Sequence, residues 1–173
     1  LTASLISGVI VILSYGIWLQ RLEIPSFDIL LVFPVFGIAF TLFATSGVVN
    51  AFNLIDGLNG LSSLIAIACS VSLCVIAIAV DYSAMANLML ILAFIIFGFF
   101  VLNFPMGMIF LGDSGAYMLG HILVWSSVFL VGFSTNVSPF AILLIFFWPV
   151  ADTCLAIWRR FKLGNRADKP DKL

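Results

Sequence analysis

The chain has 173 residues, 64% of them hydrophobic and 9% charged, with a mean hydropathy of +1.28. Soluble domains carry about 25% charged residues, so a soluble globular fold is excluded and an integral membrane protein is expected. The formal net charge of −1 decides little, because six of the seven basic residues fall between Arg159 and Lys172.

A bilayer core about 30 Å thick takes about 20 apolar residues as a helix. The first apolar run covers residues 1–19 and is broken by Gln20-Arg21-Leu22-Glu23-Ile24-Pro25. The second, residues 29–49, delivers the chain to Asn50-Ala51-Phe52-Asn53-Leu54-Ile55-Asp56-Gly57-Leu58-Asn59-Gly60. The third, 61–80, ends at Asp81-Tyr82-Ser83. The fourth, 88–102, leads through Asn103-Phe104-Pro105 into Phe110-Leu111-Gly112-Asp113-Ser114-Gly115. The fifth, 116–133, ends at Ser134-Thr135-Asn136, and the sixth, 140–158, meets the basic tail. These uniform runs are unlike the alternating strands of a membrane barrel, and backbone groups in lipid must pair within their own segment. The expected fold is all-α, a polytopic membrane helix bundle of about six transmembrane helices forming one domain over residues 1–173. Cys69, Cys74 and Cys154 lie in apolar runs without C-x-x-C spacing and read as small core residues. The chain opens on Leu1 and stops at Leu173; a piece of a longer protein is expected.

Topology follows from the tail. Its cationic bias places it in the cytoplasm. Counting spans backwards puts residues 110–115 and 50–60 on that same face. The connections near residues 20–28, 81–87 and 134–138 fall on the other.

The stretch 50–60 gathers three asparagines, an aspartate and two glycines into a chain that is otherwise mostly hydrocarbon. An aspartate at a membrane-helix centre costs about 2.5–3.5 kcal/mol on insertion scales. Asp56 and Asp113 each adjoin glycine, which lets backbone approach a ligand closely. Such carboxylates suit Mg2+, which takes one or two of them plus substrate phosphate oxygens; the plainer alternative is that each caps a helix. Asn50 and Asn53 are spaced to share a helix face. Their amides suit a nucleobase, ribose or sugar amide, with hydrogen bonding between helices as the alternative. Asn103 allows the same two readings. Asp152 reads as a structural partner of Arg159 and His121 as a packing residue.

With both polar stretches in view, the chain resembles the polyprenyl-phosphate N-acetylhexosamine-1-phosphate transferases, the MraY/WecA-type glycosyltransferase family 4. A pattern close to N-x-x-N-x-x-D-G-x-D-G-L appears at Asn50, Asn53, Asp56, Gly57, Gly60 and Leu61, with Asn59 where a second acid is usual. Asn103 and Pro105 precede Phe110-Leu111-Gly112-Asp113-Ser114-Gly115, with Ala116 in place of a serine. Pro149, Asp152, Arg159 and Arg160 resemble the bacterial cell-envelope branch. The resemblance implies transfer of N-acetylhexosamine 1-phosphate from a UDP-N-acetylhexosamine to undecaprenyl phosphate, with release of UMP. It implies Mg2+ and an active cytoplasmic face on the bacterial inner membrane, in cell-wall or lipopolysaccharide biosynthesis. Asp113 then resembles the metal-binding aspartate, Asn103 and Asp56 resemble residues lining the nucleotide-sugar site, and Gly57-Leu58 a nucleobase contact. Asp56 and Asp113 are the expected catalytic residues, and Asn50 and Asn53 are expected to bind substrate beside Asn103. The family's Asp-Asp pair and histidine-rich loop are expected outside both ends, so residues 1–173 alone are expected to be inactive. No nucleic-acid partner is implied, and a homodimer is one admissible assembly. Neither the donor sugar nor a role for Asn59, His121 or Asp152 follows.

Two other readings compete. An intramembrane aspartyl protease also uses two aspartates at helix ends, but Phe110 and Ile55 stand where it wants glycine and tyrosine. A transporter or ion-binding bundle would hold its charges near the bilayer midplane, whereas Asp56 and Asp113 lie at the ends of apolar runs.

Overall fold

Proline and glycine decide where the helices of this chain start and stop. The computed structural model describes residues 2–162. It consists of α1 (Thr2–Tyr15), α2 (Pro25–Leu31), α3 (Pro34–Ile55), α4 (Leu61–Ala79), α5 (Ser83–Asn103), α6 (Gly112–Phe133), α7 (Pro139–Ile145) and α8 (Phe147–Lys162). Proline opens α2, α3 and α7, where its fixed φ suits a first turn and its missing N–H is not needed. No strand occurs among the described residues, so the all-α membrane bundle stands.

Among the described residues, four helices are long and apolar enough to cross a membrane: α3, α4, α5 and α6. The bent pair α7–α8 makes a fifth, and α1 is apolar but only 14 residues long. That agrees roughly with the expected six, with two local differences. The first run turns out of its helix before Gly16, at φ +64°. The sixth run breaks in two with a 68° bend. Pro149 cannot donate to the carbonyl of Ile145, four residues earlier, and its ring crowds that turn. The thiol of Cys69, on α4, lies 3.4 Å from that carbonyl and donates to it instead.

Lipid gives helices little hydrophobic reason to associate, so close packing and interhelical hydrogen bonds must hold them. α4 packs along α5 and α3 along α6. Ala66, Ser70 and Ala77 of α4 and Ala86 and Ala93 of α5 are small and buried, and Ser70 Oγ donates to the Met89 carbonyl across the first seam at 2.7 Å. In the second seam a Cβ on Gly120 would stand 3.0 Å from the Cα of Val49. Val35, Phe94 and Ile95 are among the large apolar side chains that point outward, as a chain facing hydrocarbon requires.

This packing sorts the connections onto two ends. At one end Arg21 donates to the carbonyls of Ser134 (3.0 Å) and Val137 (2.7 Å). Its guanidinium also pairs with Glu23 at 3.3 Å, and Glu23 accepts from Ser138 Oγ at 2.6 Å. Tyr82 stacks on Phe133 there with ring centroids 4.1 Å apart. The two polar stretches meet at the opposite end. The grouping obtained by counting spans is therefore the grouping the fold adopts. The basic tail from Leu163 onward lies outside the described residues.

Candidate active site

α3 ends at Ile55, and Asp56 is its C-cap residue. A turn through Gly57, Leu58 and Asn59 then reaches Gly60, whose φ of +81° is the left-handed conformation that starts α4. The ring of Phe104 packs on Gly60, where an added Cβ would come within 2.9 Å of it. The second polar stretch leaves α5 at Asn103, runs through a cis Phe104–Pro105 peptide, and enters α6 at Gly112, φ +67°.

Asn103 joins the two stretches. It is 6% exposed. Its Oδ1 accepts from the backbone N–H of Gly60 at 2.5 Å, and its Nδ2 donates to the carbonyl of Ile109 at 2.7 Å. Its own carbonyl accepts from the N–H of Gly107 at 2.8 Å. Asn59 lies against the same loop, because a Cβ on Gly107 would stand 2.7 Å from its Nδ2. One buried amide thus clamps a turn and a loop that lie 43 residues apart.

Asp113 is exposed in the first turn of α6, where the helix dipole favours negative charge. Its Oδ1 accepts from Asn53 Nδ2 at 3.1 Å. Asp56 is half-buried, and its Oδ1 accepts from the hydroxyl of Ser62 in the first turn of α4. Helix capping explains neither carboxylate. Leu111 stands at the N-cap of α6 with no side-chain cap, and Asp56 sits at the C-terminal end of α3, where the dipole repels it. Asn50, one turn before Asn53, is half-buried and has no side-chain bond among the described residues. Gly57 and Leu58 are exposed on the turn.

All the residues singled out in 50–60 and at 103 and 113 therefore gather at one end of the bundle. Asn53 and Asp113 touch, whereas the amide of Asn103 is taken up by backbone. Asp152 is exposed on α8. His121 is half-buried two turns along α6 from Asp113 and lines a hollow of about 420 Å3 with Ser4, Ser7, Ser114 and Tyr117. Sequence reasoning missed Ser62, although a hydroxyl at the start of an apolar helix was a visible signal.

No cluster of three or more His, Cys, Asp or Glu occurs among the described residues. A divalent cation would have to rest on one or two carboxylates and complete its shell with water and substrate oxygens, as Mg2+ does. Asp113 fits that requirement: it is exposed, one oxygen is oriented by a neutral amide, and the other carries no bond among the described residues.

The family model of glycosyl transferase family 4 matches residues 1–131. The chain belongs to that family. Among curated relatives of this family 4 chain, a decaprenyl-phosphate N-acetylglucosaminephosphotransferase of Mycobacterium tuberculosis is 33% identical over 156 residues, covering 79% of this chain and 39% of the relative. A probable undecaprenyl-phosphate N-acetylglucosaminyl 1-phosphate transferase of Bacillus subtilis is 33% identical over 129 residues, covering 73% and 36%. An undecaprenyl-phosphate alpha-N-acetylglucosaminyl 1-phosphate transferase of Escherichia coli is 29% identical over 146 residues, covering 79% and 39%. This chain thus spans well under half the length of these three relatives. No solved structure matches it.

Proposed function

We propose that the protein carrying this chain transfers N-acetylhexosamine 1-phosphate from a UDP-sugar to undecaprenyl phosphate and releases UMP. The reaction takes place on the cytoplasmic face of a bacterial plasma membrane and feeds cell-envelope polysaccharide synthesis. The observation that carries this reading is the joining of the two polar stretches at one end of a membrane bundle. Two carboxylates stand there, each oriented by a neutral donor. Family membership and the relatives' named activities support the same reading.

In the reaction, an oxygen of the lipid phosphate attacks the phosphorus that bears the sugar. The bond from that phosphorus to the bridging oxygen breaks, and UMP leaves with the electron pair. Phosphate and diphosphate repel one another, and a bound Mg2+ would supply the charge neutralisation that lets them meet. Asp113 would hold that cation, its carboxylate oriented by Asn53. Asp56 faces the nucleotide sugar. Asn50 and the free Oδ1 of Asn53 offer hydrogen bonds to the donor, and the exposed backbone of Gly57-Leu58 meets the nucleobase. Asn103 shapes the floor of this site by holding Gly60 and Ile109. Residues 1–173 alone are inactive on this reading, since further catalytic groups belong to the remainder of the enzyme.

The test is UMP release by the full-length protein, given undecaprenyl phosphate, Mg2+ and a panel of UDP-N-acetylhexosamines. Turnover with at least one donor is expected. Its absence across the panel would overturn the proposal, and the preferred sugar identifies the donor.

A further inference from the structure

Two serines open α4, and they are used differently. Ser63 is fully buried, and its Oγ donates to the carbonyl of Gly60 at 3.1 Å, a bond within its own turn. Ser62 is 3% exposed, and its Oγ reaches back six residues to Oδ1 of Asp56. An ionised carboxylate can only accept, so the hydroxyl must donate. Little else fixes Asp56. Its backbone has left the helix at ψ 18°, its N–H makes a long 3.4 Å bond to the Asn53 carbonyl, and the Gly57 that follows is exposed. Ser62 is its one side-chain partner among the described residues.

The arrangement parallels that at Asp113. Each carboxylate is gripped by one oxygen, each grip comes from a different helix, and each donor is neutral. A lysine or arginine in the same place would orient the carboxylate but also cancel its charge. A hydroxyl orients it and leaves the charge for a cation or a polar substrate.

We infer that Ser62 is a positioning residue for Asp56: its hydroxyl holds one carboxylate oxygen so that the other faces the substrate end of the bundle. The role of Asp56 toward substrate rests on the function proposed above; the coupling between the two side chains does not.

Four full-length proteins test this: wild type, Ser62→Ala, Asp56→Asn and the double variant, with Ser62→Thr as a fifth that keeps the hydroxyl. Ser62→Ala is expected to lower kcat/KM for the UDP-sugar about tenfold, or about 1.4 kcal/mol. Ser62→Thr should restore most of that loss. In the Asp56→Asn background the Ala substitution should cost less than about twofold, because side chains acting through one another are not additive. Equal losses in both backgrounds, or an Ala variant that turns over like wild type, would overturn the inference. If wild type releases no UMP, the proposed reaction fails by itself. The same cycle is then read in thermal unfolding midpoints, where non-additivity supports the Ser62–Asp56 coupling and strict additivity sinks it.

Discussion

The Arg21–Glu23 pair at one end of the bundle and the carboxylates of Asp56 and Asp113 at the other use their charges differently. At the Arg21 end, the guanidinium binds two carbonyls of the α6–α7 connection and the carboxylate of Glu23, which in turn takes the hydroxyl of Ser138. Those charges are consumed in tying loops together. At the Asp113 end, the carboxylates are oriented by an amide and a hydroxyl, and neither is neutralised by a cation among the described residues.

That contrast can be broken by substitution at either end. The largest effect is expected from Asp113→Asn, which keeps the shape and removes the charge. The kcat/KM of the full-length enzyme should fall about a thousandfold, near 4 kcal/mol, with the unfolding midpoint hardly changed. Turnover retained at saturating Mg2+ would remove the metal role from Asp113. Next comes Arg21→Met, which strands two carbonyls and Glu23. Hydrogen bonds to a charged group are worth about 1.5–3 kcal/mol, and Arg21 is 27% exposed, so a loss of about 2 kcal/mol is expected. It should appear in the unfolding midpoint and leave KM for the donor unchanged. Asn53→Ala should raise the Mg2+ needed for half-maximal rate about tenfold, since partners that orient a metal ligand cost about 10–100-fold in affinity when removed. The smallest effect is expected from Ser138→Ala, an exposed contact worth about 0.5 kcal/mol, visible only in the unfolding midpoint. A stability-only result at the Asp113 end, or a turnover-only result at the Arg21 end, would dissolve the distinction.

Much of this was legible beforehand because hydrocarbon in a membrane chain is contiguous. The apolar runs gave the helices, and their parity gave the two ends. Pro149 was equally visible, yet the run around it reads as one span until the bent backbone shows the broken helix. Asp56, Asp113 and the asparagines announced themselves by being polar where polarity is costly. Their partners did not, because pairing across the fold leaves no local mark. Asn53 meets Asp113 across 60 residues, and Arg21 meets Val137 across 116. Asn103 allowed both ligand binding and hydrogen bonding within the bundle, and no spacing rule could reveal that its amide bonds the backbone of Gly60 and Ile109.

That amide also fixes what can be exchanged between relatives. Because Asn103 holds Gly60 and Ile109 together, and Asn53 holds Asp113, neither polar stretch is a self-contained cassette. A chimera that imports residues 50–60 alone would meet a foreign clamp. A chimera therefore has to carry residues 50–60 and 103–113 together.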